Sequence, residues 1–210
     1  MEMLPILGEG YSSNVYLING NQKILIDAGL GTDAYRIIRS IEGTAKKLDA
    51  IILTHRHMDH IGGAKQISEH FNAEIYASEI ECKAISDGDM KSTCAFAFGM
   101  KVPKIKVRTI DELECGEIQV IPTPGHTSGS ISIYFPSKKW LFSGDTVFLY
   151  GSTGRWDLPT GNLEDLKRSI EMLSTLEIEG LFPGHEGYTE REGIEHIHAA
   201  LEFLRGEFFE

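Results

Sequence analysis

Residues 54–60 read Thr-His-Arg-His-Met-Asp-His and directly follow the short apolar run 50–53. A run of this length with polar flanks is typical of a buried strand. Apolar runs also precede Pro124-Gly125-His126-Thr127, Ser143-Gly144-Asp145-Thr146 and Pro183-Gly184-His185. Loops at strand ends carry the chemistry of layered proteins, while the sheet holds them in place. The recurrence therefore predicts a strand-rich α/β (α+β) fold with a site where its strands end.

The residue types at these strand ends are those that bind metal ions. Seven side chains are imidazoles or carboxylates: His55, His57, Asp59, His60, His126, Asp145 and His185. An ordinary zinc site uses three or four protein ligands, so a single ion does not account for seven. Two adjacent ions that share a carboxylate and a water account for all of them. The sequence therefore predicts a dinuclear centre.

The spacing within residues 54–60 divides the ligands between the two ions. His55 and His57 are two residues apart, so in an extended segment they point to the same side and can bind one ion. We expect His126 to be the third ligand of that ion. Where the chain then turns into a helix, Asp59 and His60 are rotated away from the first ion and towards a second one.

His185 can complete the ligand set of the second ion. Asp145 is then the one candidate ligand not yet assigned. A carboxylate can bridge two ions and an imidazole cannot, so we expect Asp145 to be the shared ligand. Nitrogen and oxygen ligands fit zinc, iron or manganese without choosing among them. The expected cofactor is a pair of divalent ions, with zinc as the first candidate.

The two halves of the chain follow the same plan, which is a hairpin, an aspartate, a helix, a strand and a histidine. If this similarity reflects a duplication, the halves pack as sheet on sheet with helices outside. The alternative is that such units are common and the similarity is coincidental. We treat residues 1–210 as a single domain. Expected strands are 15–18, 23–27, 50–54, 74–77, 130–135, 140–143 and 180–182, and expected helices are 32–41, 60–71, 78–85, 162–176 and 194–204.

Composition restricts the function further. The chain has 20 Lys plus Arg against 31 Asp plus Glu, a formal charge of −11, which opposes binding to nucleic acid or to an anionic membrane. Its start lacks the basic and apolar regions of a signal peptide, and no apolar run is long enough to span a membrane. Cys82, Cys94 and Cys115 form no C-x-x-C pair and are expected to be reduced thiols. These features favour a cytoplasmic protein with a small-molecule substrate.

Other polar residues have simpler interpretations. His70, His196 and His198 lie on expected helices away from the ligand clusters and are expected to be solvated or to serve packing. Asp27 is expected to support a ligand or a turn rather than to bind metal. The chain has no G-x-S-x-G sequence, so a serine hydrolase would lack its usual nucleophile turn.

The ligand set His55-x-His57-x-Asp59-His60, His126, Asp145 and His185 resembles that of the metallo-β-lactamase superfamily. The resemblance extends from Asp27-Ala28-Gly29 to Pro183-Gly184-His185 and implies an αββα sandwich of two similar halves. Residues 154–159, Gly-Arg-Trp-Asp-Leu-Pro, are similar to the glyoxalase II group, which hydrolyses thioesters of glutathione. Larger members of that group carry a C-terminal helical domain that helps to bind glutathione, whereas 25 residues follow His185 here. The resemblance thus implies a metal-dependent hydrolase acting on a thioester.

Three alternatives stay open within this resemblance. Persulfide dioxygenases share the Gly154-Arg155 pair and use a single iron, held by the counterparts of His55, His126 and Asp145. Lactonases carry a tyrosine at the position of Phe148, which disfavours that activity. A metal-binding protein without catalytic activity is the third alternative.

Candidate substrate contacts are fewer. Asp59 is expected to orient the hydroxide and to carry its proton to the leaving group, in addition to binding metal. Phe96 and Phe98 lie in an apolar cluster that either walls a pocket, packs against the sandwich or joins subunits in a homo-oligomer. Arg155 either pairs with a substrate carboxylate or forms an ion pair with Asp157.

Overall fold

The computed structural model describes residues 1–206 and divides the chain into two compact units, Met1–Cys115 and a second unit that begins at Gly116. Each unit contains its own sheet and helices, which confirms the predicted mixed α/β class. No helix within residues 1–206 is long and apolar enough to cross a membrane. The expectation of a single domain over residues 1–210 stays a prediction.

The first unit is built on a six-stranded sheet whose spatial order follows the chain from β1 to β6. The strands β1 to β3 are antiparallel, and β3 to β6 run parallel. The parallel connections require crossovers, which the helices supply. The strands are β1 Glu2–Ile6, β2 Val15–Asn19, β3 Lys23–Ile26, β4 Ala50–Ile52, β5 Glu74–Ala77 and β6 Val107–Thr109.

Four helices belong to the first unit, namely α1 Ala34–Thr44, α2 Met58–Ile61, α3 Ala64–Phe71 and α4 Glu79–Asp87. The apolar stripe of α1 and one face of the strands form a single buried cluster, which includes Ile37, Ile41, Leu25 and Ile51. A 3₁₀ turn, Ala95–Phe98, follows α4. Burial of such a cluster is the main force that holds the sheet and its helices together.

The second unit has a four-stranded sheet in the order β10-β9-β8-β7. Its strands are β7 Gln119–Pro122, β8 Ile131–Phe135, β9 Trp140–Gly144 and β10 Gly180–Pro183. Helices α5 Leu163–Leu173 and α6 Gly193–Arg205 bury Leu166, Ile170 and Ile197 in a core with the sheet. Asn162 caps α5 by accepting a hydrogen bond from the Asp165 amide at 3.0 Å.

The two units share the connectivity that the sequence predicts. In the first, the antiparallel pair β2–β3 is followed by α1 and by β4, which lies parallel to β3. In the second, the antiparallel pair β8–β9 is followed by α5 and by β10, which lies parallel to β9. In both cases the aspartate follows the second hairpin strand and the histidine follows the parallel strand.

Several elements differ from the sequence expectation. The helix expected over 60–71 is two helices separated by Gly62 and Gly63, whose backbone lies so close to residues 28–30 that a Cβ would collide with carbonyl oxygens there. Helix α1 begins after Asp33 rather than at residue 32. Helix α4 begins after Ser78, whose side chain caps it by accepting a hydrogen bond from the Glu81 amide. Strands β1, β6 and β7 were not expected, since β1 contains Pro5 and the other two are short and partly exposed.

Candidate metal centre

Three of the first unit's candidate ligands have closely grouped rings. His55 follows β4 in the chain, and His57 is in an extended conformation immediately before α2. The ring centroid of His55 lies 4.8 Å from that of His57 and 4.1 Å from that of His60. All three side chains are buried. The strand-to-helix transition thus brings residues two and five apart in sequence to one place.

Asp27 holds one of these rings in position, as expected for a supporting residue. Its Oδ2 lies 2.8 Å from His60 Nδ1, and its carboxylate also accepts hydrogen bonds from the Thr54 amide and hydroxyl. A carboxylate at Nδ1 fixes the tautomer with a proton there, so that Nε2 is the ligand atom. Asp59 Oδ2 lies 3.8 Å from His60 Nε2.

Neighbouring loops fix the backbone of residues 54–60, which we call the ligand segment. The Ser13 amide donates to the Asp59 carbonyl at 3.1 Å, and the Met58 amide donates to the Thr93 carbonyl at 2.8 Å. Between the ligands, the buried guanidinium of Arg56 forms an ion pair with the buried carboxylate of Glu81 on α4. No local sequence pattern indicates this pair, because its members are 25 residues apart.

In the second unit, one carboxylate oxygen lies between two imidazoles. Asp145 Oδ2 is 3.5 Å from His126 Nε2 and 3.6 Å from His185 Nε2. His126 follows β7, Asp145 follows β9 and His185 follows β10, so three strand ends bring these side chains together. The side chains of His126 and Asp145 are buried, and that of His185 is 27% exposed.

The loop after Asp145 supports the second unit's ligands through its backbone. The Arg155 carbonyl lies 2.7 Å from His126 Nδ1, which places a proton on Nδ1 and makes Nε2 the ligand atom. Gly154 permits this approach, since a Cβ there would lie 1.9 Å from the Asp145 carbonyl oxygen and 2.9 Å from His126 Nδ1. The ring of Phe148 meets the ring of His185 edge-on, with 6.1 Å between the two ring centroids. The sequence does not indicate this role, because it depends on the backbone of residues 154 and 155 and not on a side chain.

The donor set fits divalent metal ions. Each of the seven sequence-predicted ligands belongs to a group of side chains whose ligand atoms could hold an ion. The donors are imidazole nitrogens and carboxylate oxygens, with supporting acceptors on two of the imidazoles, which is the chemistry of zinc, iron and manganese sites.

The remaining sequence-predicted residues lie in the following places. His70 pairs with Glu42 at the surface, His198 is exposed, and His196 accepts a hydrogen bond from the Tyr150 amide at 3.0 Å. None of these three belongs to a metal-holding group of residues 1–206. The Arg155 guanidinium forms a two-point contact with Asp157, at 2.9 and 2.7 Å.

Phe96 is 60% exposed, and the Phe98 ring meets the ring of Tyr11. This contact makes Tyr11 a further candidate substrate contact, which the sequence does not indicate because a lone tyrosine in a turn belongs to no periodic pattern. Cys82, Cys94 and Cys115 form no disulfide within residues 1–206.

Comparison with known proteins identifies the family of this chain. Residues 8–185 match the metallo-beta-lactamase superfamily. A probable metallo-hydrolase of Methanocaldococcus jannaschii is 41% identical over 193 residues, which cover 87% of this chain and 92% of that protein. The hydroxyacylglutathione hydrolase GloC of Haemophilus influenzae is 31% identical over 201 residues, covering 90% and 92% of the two chains. The crystal structure of TTHA1623 in a di-iron-bound form has a TM-score of 0.77 and 29% identity, and the match covers 95% of this chain and 96% of that one. The chain therefore belongs to the metallo-beta-lactamase superfamily and is a metal-dependent hydrolase of that fold.

Proposed function

We propose that this protein hydrolyses small-molecule thioesters at a centre of two divalent metal ions. In this proposal His55, His57 and His126 would hold one ion, and Asp59, His60 and His185 would hold the other, with Asp145 as the shared ligand. The ions are zinc in the first instance, and iron or manganese as alternatives.

One observation carries the proposal. Asp145 Oδ2 stands at nearly equal distances from His126 Nε2 and His185 Nε2, and these two histidines are assigned to different ions. A carboxylate oxygen that faces two imidazole nitrogens about 3.5 Å away has the separation of ligand atoms around an ion rather than of direct hydrogen-bond partners. The position suits a bridging ligand.

Each residue has a defined task in the reaction. Ions bound to these ligands would supply Lewis acidity for the carbonyl and a nucleophilic hydroxide at neutral pH. Asp27 and the Arg155 carbonyl hold the rings of His60 and His126 with Nε2 as the ligand atom. We assign Asp59, whose Oδ2 lies 3.8 Å from His60 Nε2, the role of accepting the proton of the attacking water and passing it to the leaving group.

The chemistry of the leaving group favours a thioester over an amide. A thiol has a pKa of about 8.5, so a thiolate leaves without a strong general acid. The relative GloC is named as a hydrolase of a glutathione thioester and is matched over nine tenths of both chains. The net charge of −11 disfavours a nucleic acid substrate, and this leaves a small molecule as the proposed partner.

A substrate and metal panel tests the proposal. Protein loaded with zinc, manganese or iron is assayed with S-lactoylglutathione, simple acyl thioesters, a homoserine lactone, a phosphodiester and glutathione persulfide. We expect thioester turnover, two ions per chain by elemental analysis, and loss of turnover in Asp59→Asn with partial loss of metal. The exposed Asp87→Asn on α4 serves as the matched control.

Two results would contradict the proposal. One iron per chain together with oxygen uptake on the persulfide, and no thioester turnover, would assign the protein to the dioxygenases. An acyl-enzyme trapped by rapid quench would show that a side chain rather than water attacks the carbonyl.

A further inference from the structure

Two loops of the first unit contact the backbone of the ligand segment directly. Residues 8–14 contact it through the Ser13 amide, which donates to the Asp59 carbonyl at 3.1 Å. Residues 89–99 contact it through the Thr93 carbonyl, which accepts from the Met58 amide at 2.8 Å. Side chains at the tips of these loops are therefore held by the same segment that carries four of the candidate ligands.

The first loop is firmly anchored although its tip is exposed. Ser12 Oγ accepts from the Leu30 amide at 2.9 Å and donates to Asp33 at 3.0 Å. The Asn14 side chain closes the loop by accepting from the Gly8 amide at 3.0 Å. Between these anchors stands Tyr11, which is 77% exposed.

The second loop presents two rings on the 3₁₀ turn Ala95–Phe98. The turn is closed by two backbone hydrogen bonds: the Gly99 amide donates to the Phe96 carbonyl, and the Met100 amide donates to the Ala95 carbonyl. Phe98 packs against the hydrophobic core with part of its ring accessible, and Phe96 is 60% exposed.

The tips of the two loops meet. The rings of Tyr11 and Phe98 are 6.1 Å apart between centroids and cross at 69°, which is a favourable edge-to-face contact. Residues 8–14 and 95–98 thus form an aromatic wall, which we define as Tyr11, Phe96 and Phe98. Rings that are held in advance lose little conformational entropy on binding a ligand.

We propose that the aromatic wall binds the acyl chain of the thioester and makes the enzyme selective for longer chains. The inference rests on the proposed function, because it places the substrate's apolar part beside the ligand segment. Ring faces and edges gain free energy by burying methylene groups, whereas they offer little to a charged acyl substituent. Phe96 and Phe98 therefore act as specificity residues, and Tyr11 joins them.

A chain-length series tests this proposal. The metal-loaded protein is assayed with acetyl, butyryl, hexanoyl and octanoyl thioesters of N-acetylcysteamine, which share one leaving group. Complete burial of a methylene group is worth about fourfold, so a one-sided wall should raise kcat/KM about twofold per methylene. Tyr11→Ala and Phe98→Ala should flatten this dependence mainly through KM, and Tyr11→Phe should keep it. The matched control is Tyr35→Ala, since Tyr35 is a tyrosine of α1 that is 75% exposed.

A binding measurement separates failure of this inference from failure of the proposed function. Calorimetric titration with the matching S-alkyl thioethers, which cannot be hydrolysed, should show affinity rising with chain length in the wild type and less so in Tyr11→Ala. The role of the aromatic wall would be wrong if wild-type kcat/KM did not depend on chain length, or if Tyr11→Ala and Phe98→Ala left that dependence unchanged. Thioester hydrolysis itself would not be contradicted by either result. Absence of all thioester turnover would instead overturn the proposed function, and the thioether slope would still decide the wall.

Discussion

Asp145 is the residue on which the proposed two-ion arrangement depends. Its Oδ2 faces the imidazoles of His126 and His185, so removing the carboxylate removes the only shared ligand of the proposal. We expect Asp145→Ala to lose both ions, which elemental analysis of dialysed protein measures. Retention of two tightly bound ions would show that the bridge is assigned to the wrong residue.

Gly154 supports the ligands by being small. A Cβ at this position would lie 1.9 Å from the Asp145 carbonyl oxygen, so Gly154→Ala must displace the backbone that holds His126. We expect weaker metal binding with the far-UV circular dichroism spectrum retained, measured by competition with a chromogenic chelator. Gly43→Ala, on α1 with open space around its Cβ, is the control and should bind metal normally.

Helix α4 is tied to the ligand segment by the Arg56–Glu81 ion pair. Both side chains are buried, so removing one partner leaves an uncompensated charge and costs about 3–5 kcal/mol. We expect Glu81→Gln to lower the free energy of unfolding by an amount approaching that range, measured by urea denaturation.

Two further variants make this measurement specific. The exposed Glu79→Gln on the same helix should have little effect. Arg56→Met combined with Glu81→Leu should cost less than Glu81→Gln alone, because no buried charge is left. A larger loss in the double variant would mean that the pair contributes favourable free energy beyond neutralising itself.

Helix α6 holds the turn at Tyr150 through a titratable group. Tyr150 has a left-handed backbone, φ 57°, and its amide donates to His196 Nδ1 at 3.0 Å, which requires the neutral imidazole. Burial lowers the pKa of His196, against the opposing effect of Glu192 and Glu195. The folded state therefore disfavours the protonated ring, and this contribution to stability is lost as pH falls below about 6.5.

His196→Asn tests this pH dependence, since an amide oxygen can accept the same hydrogen bond without titrating. We expect the wild type to lose stability between pH 8 and 5.5 relative to His196→Asn, as measured by urea denaturation of metal-saturated protein. Parallel pH profiles for the two proteins would show that the ring does not control the turn.

At the scale of the whole molecule, the proposed ions link folding to metal. A ligand that binds only the folded state stabilises it by about 4 kcal/mol at a thousandfold excess over its Kd. We expect chelation to lower the Tm measured by calorimetry and zinc or iron to restore it, with magnesium as a control that prefers oxygen ligands. An unchanged Tm after verified metal loss would show that the ions do not contribute to the stability of the folded protein.

The sequence predicts the side chains that form the candidate metal-holding groups and most of the helices and strands. The features that it does not predict depend on tertiary contacts. Strand-end histidines carry a chemical signature that does not depend on distant contacts, and α5 has both an apolar stripe and an Asn162 cap. The break between α2 and α3 depends instead on the approach of residues 28–30 to Gly62 and Gly63, a tertiary contact. Arg56–Glu81 and Tyr11–Phe98 are pairs distant in sequence, and no periodicity reports them.

The strand order has a consequence for self-association. Of the four strands at the sheet edges, β1, β7 and β10 each contain a proline, at positions 5, 122 and 183, whereas none of the six inner strands described does. A proline lacks the amide hydrogen that an incoming strand would need. The fourth edge strand, β6, is three residues long and follows Pro103 and three lysines at 101, 104 and 106, whose charge repels an approaching strand. These features disfavour growth of either sheet by strand addition, and with it edge-to-edge aggregation of the folded protein.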